Sequence, residues 1–191
     1  MKKLLLCAAV LGTMLSVASS CKGDEDKTTW EEYADWRETN ELWLEELSAR
    51  KNPDGSPYYN VVVPSWNPGA YVLMHYFNDR ALTEGNLSPL STSTVDVRYI
   101  GHLCDGEPFD SSYTLTAYGD GVARMRIDNT IQGWMIALPQ MRCGDSAEIV
   151  CPYGVAYGSQ TVGDIKPYSA LRFNVRLVDI AKYEASPYGK Q

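Results

Sequence analysis

The chain of 191 residues has few of the residues from which most catalytic centres are built. It contains two histidines, His75 and His102, and no Cys-x-x-Cys pair, so the usual ligand sets of a zinc site are missing. It also lacks a glycine-rich loop of the kind that holds phosphate groups. The formal net charge of −7 disfavours binding to the phosphates of nucleic acids. The sequence therefore predicts no metal, no cofactor and no nucleic-acid partner.

Phenylalanine is scarce as well, with three residues against 13 tyrosines and five tryptophans. Tyrosine and tryptophan combine a large apolar ring with one polar atom, which suits surfaces and pockets. The hydrophobic content of 45% is sufficient for a packed core and argues against a largely disordered chain.

The first 20 residues have the features of a targeting segment. Two lysines precede an apolar run over residues 4–17, and small residues then lead to Cys21. The run is too short for a membrane span. The letters "ASSC" resemble the cleavage site of a bacterial lipoprotein. That resemblance implies a signal peptide over residues 1–20, a lipid on Cys21, and an outer-membrane location facing the periplasm or the cell surface. A secretory signal cut near Ser20 is the alternative.

An acidic linker and a helical extension follow. Residues 21–28 form the linker, and residues 29–90 are predicted to form a helix and strands. The spacing of Thr29 and Glu32 is that of a capping box, which predicts a helix from Thr29 to about Arg50. Five residues recur at helical spacing on one face: Tyr33, Trp36, Asn40, Trp43 and Leu47. We expect this face to pack on the following domain, and a dimer or partner interface is the alternative.

The remainder of the chain is rich in strand patterns. Aromatic and β-branched residues predict strands over residues 58–63 and 70–77, separated by a turn. Further strands are predicted over 94–103, 122–127, 146–151 and 170–180, with one short helix over 134–141. One short helix among antiparallel strands indicates an α+β fold. Cys104, Cys143 and Cys151 permit either one disulfide and a thiol or three thiols.

Six segments of this region resemble, in order, those of FKBP-type peptidyl-prolyl cis-trans isomerases. They are "VDVRYIG", "DGEPFDSS", "IQGWMIAL", "MRCGD", "AYG" and "ALRFNVRLVDI". The resemblance implies an antiparallel sheet of about five strands wrapped around one short helix, in a domain of residues 91–183 before a tail of residues 184–191. It implies isomerisation of Xaa-Pro bonds in exported polypeptides, with macrolides as inhibitors, whereas the membrane partner is implied by the lipoprotein-like signal. A binding or chaperone module with weak catalysis is the alternative.

The same resemblance assigns the site residues. Its catalytic set is Tyr99, Asp110, Ile131, Trp134 and Tyr157, and its substrate-binding set is Phe109, Thr130 and Phe173. Trp134 is expected under the proline ring. The Ile131 N–H and the Tyr157 hydroxyl are expected to bind the peptide, and Asp110 to lie near the substrate carbonyl.

Two departures from the family pattern predict a cavity that is open on one side. Ala123 stands where the family often has an aromatic residue, and the loop over residues 159–166 is about one residue short.

This reaction explains why acid–base residues are scarce. An Xaa-Pro bond isomerises slowly because rotation destroys amide resonance, at a barrier of about 18–20 kcal/mol. No covalent bond is made or broken. An enzyme needs only to hold the proline, remove water from the amide and favour its twisted form over the planar one.

Overall fold

Two consecutive helices begin the described part of the chain. The computed structural model describes residues 27–114 and 121–181. Helix α1 spans Thr29–Glu32 and helix α2 spans Ala34–Ala49, so the predicted helix is confirmed, with a break at Tyr33. The predicted signal peptide, the lipidation site Cys21, most of the acidic linker and the C-terminal tail lie outside the described residues.

The capping box begins one residue earlier than predicted. The Glu31 N–H donates to the Thr28 hydroxyl at 3.4 Å, and the Glu31 carboxylate accepts from the Thr28 N–H at 2.9 Å. The assignment to Thr29 and Glu32 was therefore wrong. Two adjacent threonines are each followed three residues later by a glutamate, so the spacing alone fits both starting points.

Seven strands form one antiparallel sheet. They are β1 (Asn60–Val62), β2 (Val72–Tyr76), β3 (Thr94–His102), β4 (Pro108–Ser111), β5 (Ala123–Arg126), β6 (Ser146–Cys151) and β7 (Leu171–Ile180). The order is β1-β2-β6-β7-β3-β4, and β5 also pairs with β3. The predicted α+β fold is confirmed. The sheet exceeds the expected five strands because β1 and β2, which precede the expected domain, join it.

Strand β3 pairs with three other strands of the sheet. One of its edges pairs with β7 from Val95 to His102. Strands β5 and β4 also pair with it, β5 along Thr94–Val97 and β4 along Ile100–His102. Since side chains alternate between the faces of a strand, β3 and β7 present apolar residues to one face and polar residues to the other.

The main core lies between this sheet and helix α3, which spans Gln132–Ala137 and continues as a 3₁₀ turn over Leu138–Gln140. Trp134, Ile136 and Ala137 of the helix are buried against the sheet, in the same cluster as Val97 and Leu177. The short helix predicted over residues 134–141 is thus confirmed, although its first turn begins two residues earlier.

Helix α2 packs on a second, smaller core. Leu44 and Leu47 lie with Tyr59, Leu73 and Val150, from the segment before β1 and from strands β2 and β6. The expected packing on the domain is therefore confirmed, but the buried face is rotated from the predicted one. Leu44 is buried, whereas Tyr33, Trp36 and Trp43 are half-buried.

A buried carboxylate joins the segment before β3 to the turn before β6. Asp145 has no exposed surface and accepts hydrogen bonds from the Thr83 hydroxyl at 2.6 Å and the Arg142 N–H at 2.8 Å. Asn78 donates to it at 3.1 Å, and the Arg80 guanidinium lies 3.3 Å away. Burial by itself raises the pKa of Asp145, but these donors and the nearby positive charge outweigh it, so the pKa lies below its usual value.

We predict that Asp145→Asn lowers the free energy of unfolding at pH 7 by about 2–3 kcal/mol, because the buried donors around this position lose their charged acceptor. Because the pKa of Asp145 is lowered in the folded state, its charge stabilises the protein at pH values above the unfolded pKa of about 3.9. This stabilisation is lost as the pH falls through the folded pKa. The variant should therefore lose less stability than the parent on acidification below about pH 4.

Urea unfolding between pH 7 and pH 3 measures both effects. The matched control is Glu46→Gln, which replaces an exposed carboxylate of α2 and should leave the free energy of unfolding at pH 7 unchanged. Equal acid sensitivity in Asp145→Asn and the parent would contradict the prediction.

Candidate active site

One cavity of about 360 Å³ opens between helix α3 and the face of the sheet that β3, β5 and β7 present. All eight residues predicted for the site line it: Tyr99, Phe109, Asp110, Thr130, Ile131, Trp134, Tyr157 and Phe173. Met125 and Asn129, which the sequence analysis did not assign to the site, complete the lining. Residues separated by up to 74 positions in the chain thus line one cavity. The role assigned to each of them stays a prediction.

Trp134 forms the floor of the cavity. It lies in the first turn of α3 and is only 3% exposed. Its indole Nε1–H has no hydrogen-bond acceptor within residues 27–114 and 121–181. The preceding Gly133 lets the helix approach β6: a Cβ atom there would collide with Cys151 Sγ and lie 3.0 Å from Cys151 Cβ. The glycine is therefore required for close packing and does not adopt a left-handed backbone.

Aromatic rings meet edge to face around this floor. The Trp134 ring lies 5.1 Å from Tyr99 and 5.3 Å from Phe173, and Phe109 lies 5.6 Å from Phe173, all near right angles. Such pairs are a favourable arrangement of aromatic quadrupoles and hold the rings in place. Gly101 of β3 makes room for them, since a Cβ there would lie 2.6 Å from the Phe109 ring. A glycine inside a strand is the sequence signal for such an approach.

A hydrogen-bonded pair supplies the polar wall. The Tyr99 hydroxyl donates to Asp110 Oδ2 at 2.7 Å, and the Ser111 N–H donates to Oδ1 at 2.8 Å. Burial, the bond to Asp110 and the negative charge of this carboxylate raise the pKa of Tyr99. Burial and the same charge also raise the pKa of Tyr157. Both hydroxyls consequently stay protonated, and able to donate, through neutral and mildly alkaline pH.

Two hydrogen-bond donors at the rim of the cavity have no acceptor among the described residues. The Ile131 N–H forms no hydrogen bond there, because Ile131 is the N-cap residue of α3 and its carbonyl alone enters the helix. The Tyr157 hydroxyl likewise has no hydrogen-bond partner in those ranges. Both groups border the cavity and are free to bind an acceptor that enters it.

Thr130 lies at one edge of the cavity. The Thr130 hydroxyl donates to the Ile127 carbonyl at 2.6 Å and is therefore already engaged. The wall next to it belongs to Met125 of β5, whereas Ala123, two residues earlier on the same face, is buried in the core. Ala123 therefore does not border the cavity, which lies at the Met125 end of this strand.

The shortened loop closes on itself. Val162 and Ile165 exchange backbone hydrogen bonds of 3.0 and 2.9 Å across a two-residue turn, with Gly163 at a φ of 55°. Glycine at the first central position is a common choice for a tight hairpin turn. The loop therefore needs no additional residues, and Ile165 is buried in the main core.

Cysteines and clustered acidic residues are the further candidates for chemistry at this site. Cys104, Cys143 and Cys151 form no disulfide within the described residues, in agreement with the alternative of three thiols. Burial raises the pKa of Cys151 and keeps it unreactive. In the parts of the chain that the structure describes, no three histidine, cysteine, aspartate or glutamate residues lie close enough together to hold a metal ion. The cavity thus offers apolar walls and a few hydrogen-bonding groups.

Comparisons with known proteins agree with this geometry. Residues 85–178 match the family model of FKBP-type peptidyl-prolyl cis-trans isomerases. The chain is 38% identical over 103 residues to the FKBP-type peptidyl-prolyl cis-trans isomerase FkpA of Escherichia coli, covering 52% of this chain and 37% of FkpA. It is 33% identical over 117 residues to the outer membrane protein MIP of Legionella longbeachae, covering 60% of this chain and 48% of MIP.

The fold is also that of a solved isomerase structure. A peptidyl-prolyl cis-trans isomerase from Pseudomonas syringae superposes with a TM-score of 0.61, over 78% of this chain and 96% of that chain, at 24% identity. The chain spans less than half of the two relatives above, and the family match begins ahead of the predicted domain start at residue 91. Over residues 85–178, the chain therefore carries a domain of the FKBP-type peptidyl-prolyl cis-trans isomerase family.

Proposed function

We propose that this protein is a peptidyl-prolyl cis-trans isomerase that acts on proline-containing segments of exported polypeptides. The observation that carries the proposal is the Trp134 floor, surrounded by Tyr99, Phe109 and Phe173, beside two free hydrogen-bond donors at the rim. A proline ring is apolar and compact, and a rigid aromatic cavity of this size suits it. The same cavity is a suitable site for a macrolide inhibitor.

The mechanism follows from how a planar amide and a twisted one differ. Resonance in the planar form places negative charge on the carbonyl oxygen, which water stabilises. The aromatic walls exclude this water, so the planar ground state loses more stabilisation than the twisted transition state. Because no proton moves between protein and substrate, the site needs no general acid or base.

The rim groups hold the peptide while the bond rotates. The Ile131 N–H and the Tyr157 hydroxyl can each donate to a backbone carbonyl on either side of the proline. Asp110 is restrained by Tyr99 and the Ser111 N–H, so its carboxylate faces the rotating carbonyl with a defined orientation. Because the peptide is held on both sides of the Xaa-Pro bond, its binding energy assists rotation about that bond.

The first prediction from the proposed function concerns Trp134, the floor of the cavity. In a protease-coupled assay with a short Xaa-Pro-Phe peptide, the protein should accelerate isomerisation, and Trp134→Ala should lower kcat/KM by about tenfold or more because the cavity loses its floor. Trp134→Phe, which keeps an aromatic surface, should lose less. No acceleration at micromolar protein would leave a binding or chaperone module as the function.

The second prediction concerns the polar groups. Tyr157→Phe removes one hydrogen bond to the peptide, and Asp110→Asn removes the charge that holds the Tyr99 hydroxyl, so each should lower kcat/KM by about three- to tenfold. Tyr113→Phe is the matched control, since Tyr113 is 58% exposed and does not line the cavity. Rates equal to the parent for both cavity variants would count against the assigned roles.

We further propose that the mature protein is attached to the outer membrane by a lipid on Cys21. The letters "ASSC" support this, as does the name of the relative from Legionella longbeachae, which places that protein in the outer membrane. No helix of the described ranges is long and apolar enough to cross a membrane. A cysteine-linked lipid would hold the domain at the bilayer through the acidic linker.

The third prediction tests the anchor. Cys21→Ser should move the expressed protein from the membrane fraction to the soluble fraction of cells, because the thiol that carries the lipid is gone. Cys104→Ser is the control and should leave the protein in the membrane fraction. Retention of Cys21→Ser in the membrane would contradict the lipid anchor.

A further inference from the structure

The segment that leads from the cavity rim into β7 has a strained backbone. Tyr168 has a φ of 62°, the one non-glycine residue with a positive φ in the described ranges. A bulky residue adopts this conformation only when its surroundings enforce it, and such strain is often associated with functional sites. Tyr168 is also buried, so the residues packed around it hold its backbone in this conformation.

Helix α2 supplies two hydrogen bonds to this segment. The Ala170 N–H donates to Asn40 Oδ1 at 2.8 Å, and Asn40 Nδ2 donates in turn to the Trp36 carbonyl at 2.7 Å. Asn40 has no exposed surface, so these bonds lie in a dry environment where an unpaired group is costly. The Trp36 indole N–H donates to the Ser169 hydroxyl at 2.9 Å.

Aromatic and cationic contacts reinforce the same attachment. The Trp30 ring of α1 meets the Tyr168 ring edge to face at 5.3 Å, and the Arg37 guanidinium lies 3.3 Å from the centre of the Trp30 ring. On the other side, the Lys166 ammonium lies 4.7 Å from the centre of the Trp36 ring. We call the set of Trp30, Trp36, Arg37 and Asn40 the brace.

The braced segment is tied directly to the rim of the cavity. The Tyr168 N–H donates to the Gly158 carbonyl at 2.7 Å, and the Gly158 N–H donates to the Tyr153 carbonyl at 2.9 Å. Gly158 follows Tyr157, whose side chain lines the cavity. The Tyr153 ring also packs against Tyr168, at 5.5 Å. The position of Tyr157 therefore depends on the conformation of Tyr168.

We infer that the N-terminal helices position the active site: the brace holds Tyr168 in its left-handed conformation and thereby sets Tyr157 against the bound peptide. Trp36 and Asn40 are positioning residues, since they touch no part of the cavity. The inference rests on the proposed isomerase function. It gives residues 29–49 a role in the reaction beyond packing on the domain.

The test uses two variants of the full chain in the peptide assay. Asn40→Ala removes both bonds of the buried amide, and Trp36→Phe keeps a ring but removes the indole N–H. Each should lower kcat/KM about three- to tenfold, within the range caused by displaced binding groups far from the reacting bond. Assays run well below each melting temperature ensure that folded protein is compared.

A double-mutant cycle separates positioning from general stability. If the brace acts through Tyr157, adding Asn40→Ala or Trp36→Phe to Tyr157→Phe should produce little further loss. Leu42→Ala is the matched control. Leu42 lies on the same helix but is 58% exposed, so its loss should leave kcat/KM unchanged.

The outcomes are distinct. An inactive parent protein would overturn the proposed isomerase function. An active parent with full activity in Trp36→Phe and Asn40→Ala would overturn the brace alone, as would losses that add fully to that of Tyr157→Phe. If Asn40→Ala does not fold, Trp36→Phe decides, because it removes one partly exposed hydrogen bond and retains the aromatic packing.

Discussion

Helix α3 reaches the sheet because Gly133 has no side chain. Its backbone lies against Cys151 of β6 at a separation that no Cβ atom could tolerate. This contact places the next residue, Trp134, under the strands, where its ring meets those of Tyr99 and Phe173. The cavity is the space that remains between the helix and the sheet, so its depth is set by this close approach.

The sheet contributes the rigid part of the site and the connections contribute its rim. Tyr99 and Phe173 project from two central, paired strands, which are held along almost their whole length. Ile131 and Tyr157 lie at a helix start and in a loop, and the Ile131 N–H and the Tyr157 hydroxyl have no hydrogen-bond partner among the described residues. This division is common in enzymes, since a fixed scaffold defines the pocket and irregular segments present the groups that contact the ligand.

Buried polar residues join parts of the chain that are distant in sequence. Asp145 connects the segment before β3 with the turn before β6, and Asn40 connects helix α2 with the start of β7. Each polar atom costs stability unless it is paired, so these residues specify one arrangement of the segments they join. The Asn40 link holds the segment through which Tyr168 is bonded to Gly158, next to Tyr157.

Local sequence patterns were sufficient for most of the secondary structure. The alternation in residues 94–103 and 170–180 identified β3 and β7, because a strand repeats every two residues wherever it lies. The six segments, interpreted through their family resemblance, contain seven of the eight predicted lining residues, and Thr130 directly precedes one of them. The start of α1 was ambiguous because residues 28 and 29 are both threonine, each with a glutamate three positions on.

Only the tertiary structure decided which residues far apart in the chain contact each other. Which of Ala123 and Met125 lines the cavity depends on where the cavity ends along β5, and both fit a strand equally well. The burial of Asn40 depends on Ala170, 130 residues away, and its local pattern gave no sign of that partner. A sequence records each residue's own preferences, whereas long-range packing selects among the positions that those preferences allow.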